Sequence, residues 1–106
     1  MADSTTPTPS PPPFALETVL TAISVPARWQ ILRALAAGEQ LMVSEVAERA
    51  GISATLASKH LGVLRRLGIV LNRRGRMCEL PASILADKEQ RLLDFGWCTL
   101  RMNQGK

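Results

Sequence analysis

Between Arg49 and Cys78 the chain places seven basic residues, Arg49, Lys59, Arg65, Arg66, Arg73, Arg74 and Arg76, with its only histidine, His60, and no aspartate or glutamate. Interleaved with these cations are the hydroxyls of Ser53, Thr55 and Ser58. A cluster of charge alone suits any polyanion. Short hydrogen-bonding side chains beside it suit nucleic acid, where phosphates take the cations and base edges take the hydroxyls. No carboxylate or nucleophile stands at a spacing that would partner His60, so its expected part is packing or positioning. Trp29, Phe95 and Trp97 recur at helical spacing and read as core or interface rather than as a ligand cage. There is no enzyme motif, and neither a cofactor nor a metal is expected.

These residues need elements to hold them, and local signals say which. Leu16, Val19, Leu20 and Ile23 share one face of a first helix, and Pro26 fits the first turn of a second that ends near Gly38. In the second helix Ile31, Leu32 and Leu35 are core candidates, while Arg28 and Arg33 are expected to look outward. Leu41-Met42-Val43 fits a short strand. Ser44 is expected to cap a third helix, with Glu45 in its first turn and Gly51 at its end. Ser53 caps a fourth helix, which runs to about Leu67 and stops at Gly68. Ile69-Val70-Leu71 and Met77-Cys78-Glu79-Leu80 then flank Asn72-Arg73-Arg74-Gly75-Arg76, an antiparallel hairpin with glycine in its turn. After Pro81 a fifth helix is expected to reach about Arg101, with Leu85, Leu92, Leu93, Gly96, Trp97 and Leu100 on a broad apolar face. The fold class is mainly α with a small β-hairpin wing: a winged helix-turn-helix of four helices, the hairpin and a C-terminal fifth helix.

The third and fourth helices have helix-turn-helix spacing. Ala47 is small where two helices cross, and Gly51, four residues on, permits a left-handed turn between them. Ile52, Ala57, Leu61 and Leu64 can hold the fourth helix on the third. Ala54, Thr55, Ser58, Lys59 and Gly62 then share the opposite face, since positions i, i+1, i+4, i+5 and i+8 lie together on a 3.6-residue helix. A helix entering a DNA groove by its N-terminal half needs that surface, polar at its start and basic beyond.

Composition sets the bounds. A chain of 106 residues with net charge +4 fits one domain with a modest core. Five acids precede the basic window and four follow it, so the positive field is local. Five of the seven prolines fall within residues 1–13, among Ser and Thr, which predicts a disordered tail before a DNA-binding and dimerisation domain over 14–106. The start has neither a basic nor an apolar signal region, and no stretch approaches the length of a membrane span, so a soluble, cytoplasmic protein is expected. Cys78 and Cys98 are expected to be thiols that pack.

The run from Ile52 to Val70, above all Ser58-Lys59-His60-Leu61, Leu64-Arg65 and Leu67-Gly68-Ile69-Val70, resembles the ArsR/SmtB family of bacterial winged-helix repressors. Ser24-Val25-Pro26-Ala27-Arg28, the order of helices and Arg73-Arg74-Gly75-Arg76 extend the likeness over about residues 14 to 101. The resemblance implies a homodimer that blocks transcription from a pseudo-palindromic operator until an effector releases it. Its interface would be formed by the first and last helices, here Leu16, Val19, Leu20, Leu85, Leu92, Leu93, Trp97 and Leu100. It also implies base reading by Ala54, Thr55, Ser58 and Lys59, with Ser53 near phosphate. Arg73, Arg74 and Arg76 would meet backbone or the adjacent minor groove, with Arg65 as a further contact. Ala54 departs from the glutamine often found at its position, which removes one potential adenine contact.

The usual metal sites of that family are not matched. The Cys-x-Cys positions hold Met42 and Ser44, and the segment from Ser83 to Arg101 has no histidine. Cys78 and Cys98 leave a thiol or redox-responsive repressor as one alternative. At opposite ends of a final helix they would lie roughly 24 Å apart in one subunit, so pairing would have to run between antiparallel last helices of a dimer. A winged-helix protein–protein interaction module is the other alternative, and the acid-free window argues against it.

Overall fold

The computed structural model describes residues 14–102; the expected proline-rich tail at 1–13 lies outside them. The chain begins with α1 (Leu16–Ile23) and α2 (Pro26–Leu35), and Pro26 occupies the first turn of α2, where a missing N–H leaves no helical bond unmade. A two-residue strand, β1 (Leu41–Met42), leads directly into α3 (Val43–Ala50). This helix starts earlier than a Ser44 cap would allow. The Glu45 carboxylate accepts the Met42 backbone N–H at 2.8 Å, three residues back, and so fixes Met42 as the cap residue.

Gly51 closes α3 with φ of 74°, a left-handed conformation that costs an L side chain roughly 1–2 kcal/mol. With Gly51 so turned, the Ile52 N–H reaches back to the Ala47 carbonyl at 3.1 Å. The chain then enters α4 (Ala54–Arg66) at Ser53, whose Oγ accepts the Leu56 N–H at 3.1 Å. β2 (Leu71–Arg73) and β3 (Met77–Glu79) form the hairpin, with Arg74-Gly75-Arg76 as its tip. β1 pairs on the other side of β3, so this sheet has the order β1-β3-β2 with Cys78 on the central strand.

The expected fifth helix is not there. In its place β4 (Leu85–Asp87), β5 (Leu92–Asp94) and β6 (Thr99–Arg101) form an antiparallel sheet in sequential order, with an irregularity in register between Leu85 and Asp87. Two aspartates explain the change. Asp87 accepts the Gln90 N–H at 3.0 Å and Asp94 accepts the Gly96 N–H at 2.8 Å, so each side chain builds a turn where a helix would have run. Leu93 on β5 and Phe95, one residue past its end, keep the alternation of a strand and point inward, both fully buried. The core joins these two residues and Ile84 to Val19, Ile31, Leu32, Leu35, Leu61 and Leu64 from the helices.

The sign of one substitution separates the two architectures. In a helix, Gly96→Ala would stabilise by about 1 kcal/mol. At the observed φ of 90° it should instead destabilise by about 1 kcal/mol or more, read as a lower urea midpoint at unchanged slope.

Candidate nucleic-acid interface

α4 is held from one side only. Ala57, Leu61 and Leu64 are buried against α3, α2 and the core, and Ile52, in the turn, is partly buried. Ala54, Thr55, Ser58 and Lys59 are all exposed on the other side, and Ser53 is exposed at the helix start. Gly62 departs from this face. It is buried, and the guanidinium groups of Arg66 and Arg65 lie 3.8 and 3.9 Å from where its Cβ would stand.

His60 is the one buried polar residue among those described. Its Nδ1 accepts a hydrogen bond from Arg28 Nε at 3.3 Å, while Arg28 Nη1 donates to the Thr21 carbonyl at 2.8 Å. Arg28 therefore turns inward, contrary to expectation, and ties α1 and α2 to the recognition helix. An accepting Nδ1 requires a neutral imidazole with its proton on Nε2. Burial pushes the His60 pKa down, helped by the positive charges of Arg28 and Lys59. Sequence reasoning gives His60 a positioning role but cannot name a partner 32 residues away.

The cations of the basic window fall into two groups. Arg49 is ion-paired with Glu39, and Arg73 with Glu79. The Glu79 carboxylate also accepts the Gln40 amide at 3.4 Å, which ties the hairpin to the segment before β1. Arg65 donates to the Asn72 side chain at 3.4 Å and so braces β2 against the end of α4. Arg74 and Arg76, at the hairpin tip, and Lys59, on α4, are exposed and form no ion pair among the described residues. Exposed cations at the hairpin tip and on the polar face of α4 have the chemistry to meet phosphate oxygens.

The remaining expected residues are dispersed. Leu16 and Leu20, on α1, are 41% and 52% exposed, and Trp97 is 51% exposed with its indole N–H on the Phe14 carbonyl. Leu85, Leu92 and Leu100 are partly buried, while Val19 and Leu93 belong to the chain's own core and can only back a surface from beneath. Cys78 is buried, and burial pushes its thiol up against a smaller downward pull from Arg65. Such a thiol is a poor nucleophile. Cys98 is partly buried just before β6, and the antiparallel pair of last helices needed to bring the two cysteines together has no counterpart in the fold. Among the described residues no group of three His, Cys, Asp or Glu side chains could hold a metal.

Four helices, a β-hairpin after the second of two helices joined by a tight turn, and an exposed polar recognition face are consistent with a winged helix-turn-helix. Residues 23–73 match the family model of a helix-turn-helix domain, which spans α2 to the first strand of the hairpin. That match supports a DNA-binding regulator in general, with DNA as its partner. No curated protein and no solved structure matches the chain. Among the described residues no helix is long and apolar enough to cross a membrane.

The buried imidazole makes stability depend on pH. Because the folded pKa of His60 lies below its unfolded value of about 6.5, the unfolded state binds the extra proton as pH falls. Its contribution is therefore complete above about pH 6.5 and is lost as pH drops through the lower, folded value. Urea midpoints should fall between pH 7.5 and 5.5, and His60→Gln should flatten that dependence. An equal slope in the variant refutes the assignment.

Proposed function

We propose that the chain is a sequence-specific double-stranded DNA-binding transcriptional regulator, a homodimeric repressor of ArsR/SmtB kind without that family's usual metal sites. The observation that carries this reading is the exposed polar face of α4, Ala54, Thr55, Ser58 and Lys59, followed by a hairpin tipped by exposed Arg74 and Arg76. In a major groove the methyl groups of Ala54 and Thr55 suit thymine, the hydroxyls suit either base edge, and Lys59 reaches guanine or phosphate. Ser53 and the N-terminus of α4 favour a phosphate. Arg74 and Arg76 clamp the backbone. Arg73, now paired with Glu79, joins them where phosphate takes over from the carboxylate. Arg65 assists from the end of α4.

The dimer contact in this reading draws on the exposed apolar side chains of Leu16, Leu20 and Trp97, with the partly buried Leu85, Leu92 and Leu100. Two copies related by a twofold axis would set two recognition helices on a pseudo-palindromic operator.

Salt dependence and two substitutions test the DNA reading. With about six to ten phosphate contacts in a dimer, log affinity for a duplex should fall against log salt with a slope near about −5 to −9. A flat slope favours protein association instead. Lys59→Ala should cost about 1 to 3 kcal/mol and relax preference at one position per half-site, whereas Arg74→Ala should weaken all sequences alike and reduce the salt slope by about one unit for each phosphate it no longer neutralises. Identical behaviour of the two variants refutes the division between reading and clamping. For the dimer, Leu20→Glu should lower the mass in sedimentation to that of one chain, and an unchanged mass removes α1 from the contact.

A further inference from the structure

Among the described residues, Gly62 is the one glycine whose backbone gives no reason for it. Gly38, Gly51, Gly68, Gly75 and Gly96 all hold a positive φ, whereas Gly62 lies inside α4, where glycine disfavours a helix relative to alanine. Nor does packing forbid a side chain there. Apart from the helix backbone, the described atoms nearest to where its Cβ would stand are Arg66 Nη1 at 3.8 Å and Arg65 Nη2 at 3.9 Å, ordinary contacts with the ends of flexible side chains. We propose that this bare turn, with two guanidinium groups over it, seats one phosphate of duplex DNA, gripped by Arg66 and by the near edge of Arg65. The proposal rests on the DNA-binding reading above and adds to it two residues, Gly62 and Arg66.

The position on α4 favours a phosphate over a base. At about 100° per residue, Gly62 lies within roughly 60° of Thr55, Ser58 and Lys59, so the turn belongs by period to the outward side of the helix. Gly62 stands eight residues after Ala54, a rise of about 12 Å along the axis. A major groove is itself about 12 Å wide. A helix that enters with its N-terminal half therefore brings Gly62 to the sugar–phosphate wall, past the base edges that Ala54 to Lys59 would read.

The two arginines suit that wall. Arg65 Nη1 donates to the Asn72 side chain at 3.4 Å, which fixes the guanidinium and leaves Nη2 as the nitrogen that lies over Gly62. Two like charges set around one point favour an anion between them, and guanidinium forks match phosphate oxygens. With no Cβ in the way, the anion can approach the helix surface itself, a close contact of the kind for which glycine is suited. Replacement by alanine would favour the helix and close this approach.

Duplex affinity of the full chain is read by fluorescence anisotropy on a labelled random-sequence duplex over a salt series, with urea midpoints measured alongside. Gly62→Ala should raise the midpoint, yet weaken duplex binding by about tenfold, the loss expected when a charge-assisted contact is not made. A packing role would move both readouts down together. Gly62→Leu, with a longer side chain over the turn, should weaken binding further. Arg66→Gln should weaken it as Gly62→Ala does and reduce the salt slope by about 0.9 for each phosphate no longer neutralised. Because both residues act on one phosphate, G62A should cost much less in the R66Q background than in the parent chain. Full affinity or a lowered midpoint in G62A, an unchanged slope in R66Q, or strictly additive losses each overturn the proposal. A flat salt slope in the parent chain removes the DNA-binding reading itself, and this seat with it, so the two failures are told apart.

Discussion

A helix that reads DNA must leave one face bare, so everything that fixes it has to act from the other. In this chain that duty falls on Ala57, Leu61 and Leu64, buried on the inner side of α4, and on His60 beside them. Each buried leucine contributes roughly 1.5–3 kcal/mol by leaving water, without regard to direction. The imidazole adds direction. An unsatisfied buried polar group costs about 1–3 kcal/mol, so His60 is stable only in the pose where Arg28 supplies its donor. Arg28 is itself held by the Thr21 carbonyl, and one guanidinium thereby sets α4 relative to α1 and α2. Apolar burial holds the recognition helix down, and this polar chain fixes how it is turned.

The same separation of duties runs through the basic window. Its formal charge reads as a single footprint, yet Arg49 and Arg73 are paired with carboxylates from outside it, and Arg65 is occupied in bracing β2. What stays available is concentrated at the hairpin tip and on α4. An electrostatic surface of this kind is defined less by how many cations it holds than by which of them have been given a structural partner.

Legibility in the sequence follows the range of the interactions. Pro26, Gly51, Ser53 and the glycine of the hairpin act on neighbours within a few residues, so α2, the turn, α4 and the wing can be placed from the chain alone. The start of α3 falls elsewhere than expected although its signal is present: a glutamate that caps reaches three residues back, and from Glu45 that position is Met42, not Ser44. Arg28 reads as a solvated charge because its partner lies 32 residues away. The segment after Pro81 misleads for a different reason. Its apolar residues fit a helical stripe, but Leu93 and Phe95 also alternate as a strand does, and short apolar runs cannot be told apart by period alone. Asp87 and Asp94 decide between the two by closing turns.

Replacing a last helix by a sheet also changes what the chain can offer a second copy. A helix would have presented its apolar stripe as a ready interface. An antiparallel sheet instead exposes edges, and an unpaired edge invites strand addition. Among the described residues the outer strands carry Asp87 on β4 and Arg101 on β6, both exposed, and the β4 register is broken between Leu85 and Asp87. Charge and irregularity at an edge work against open-ended pairing. The inner side of the sheet is spent on the core through Leu93. What remains for a specific contact is side-chain surface rather than backbone: Trp97, anchored by its indole N–H to the carbonyl of Phe14, next to the outward leucines of α1. That anchor ties the tip of the C-terminal sheet to the start of α1, so the proposed contact draws on the two ends of the described fold at once, without a terminal helix.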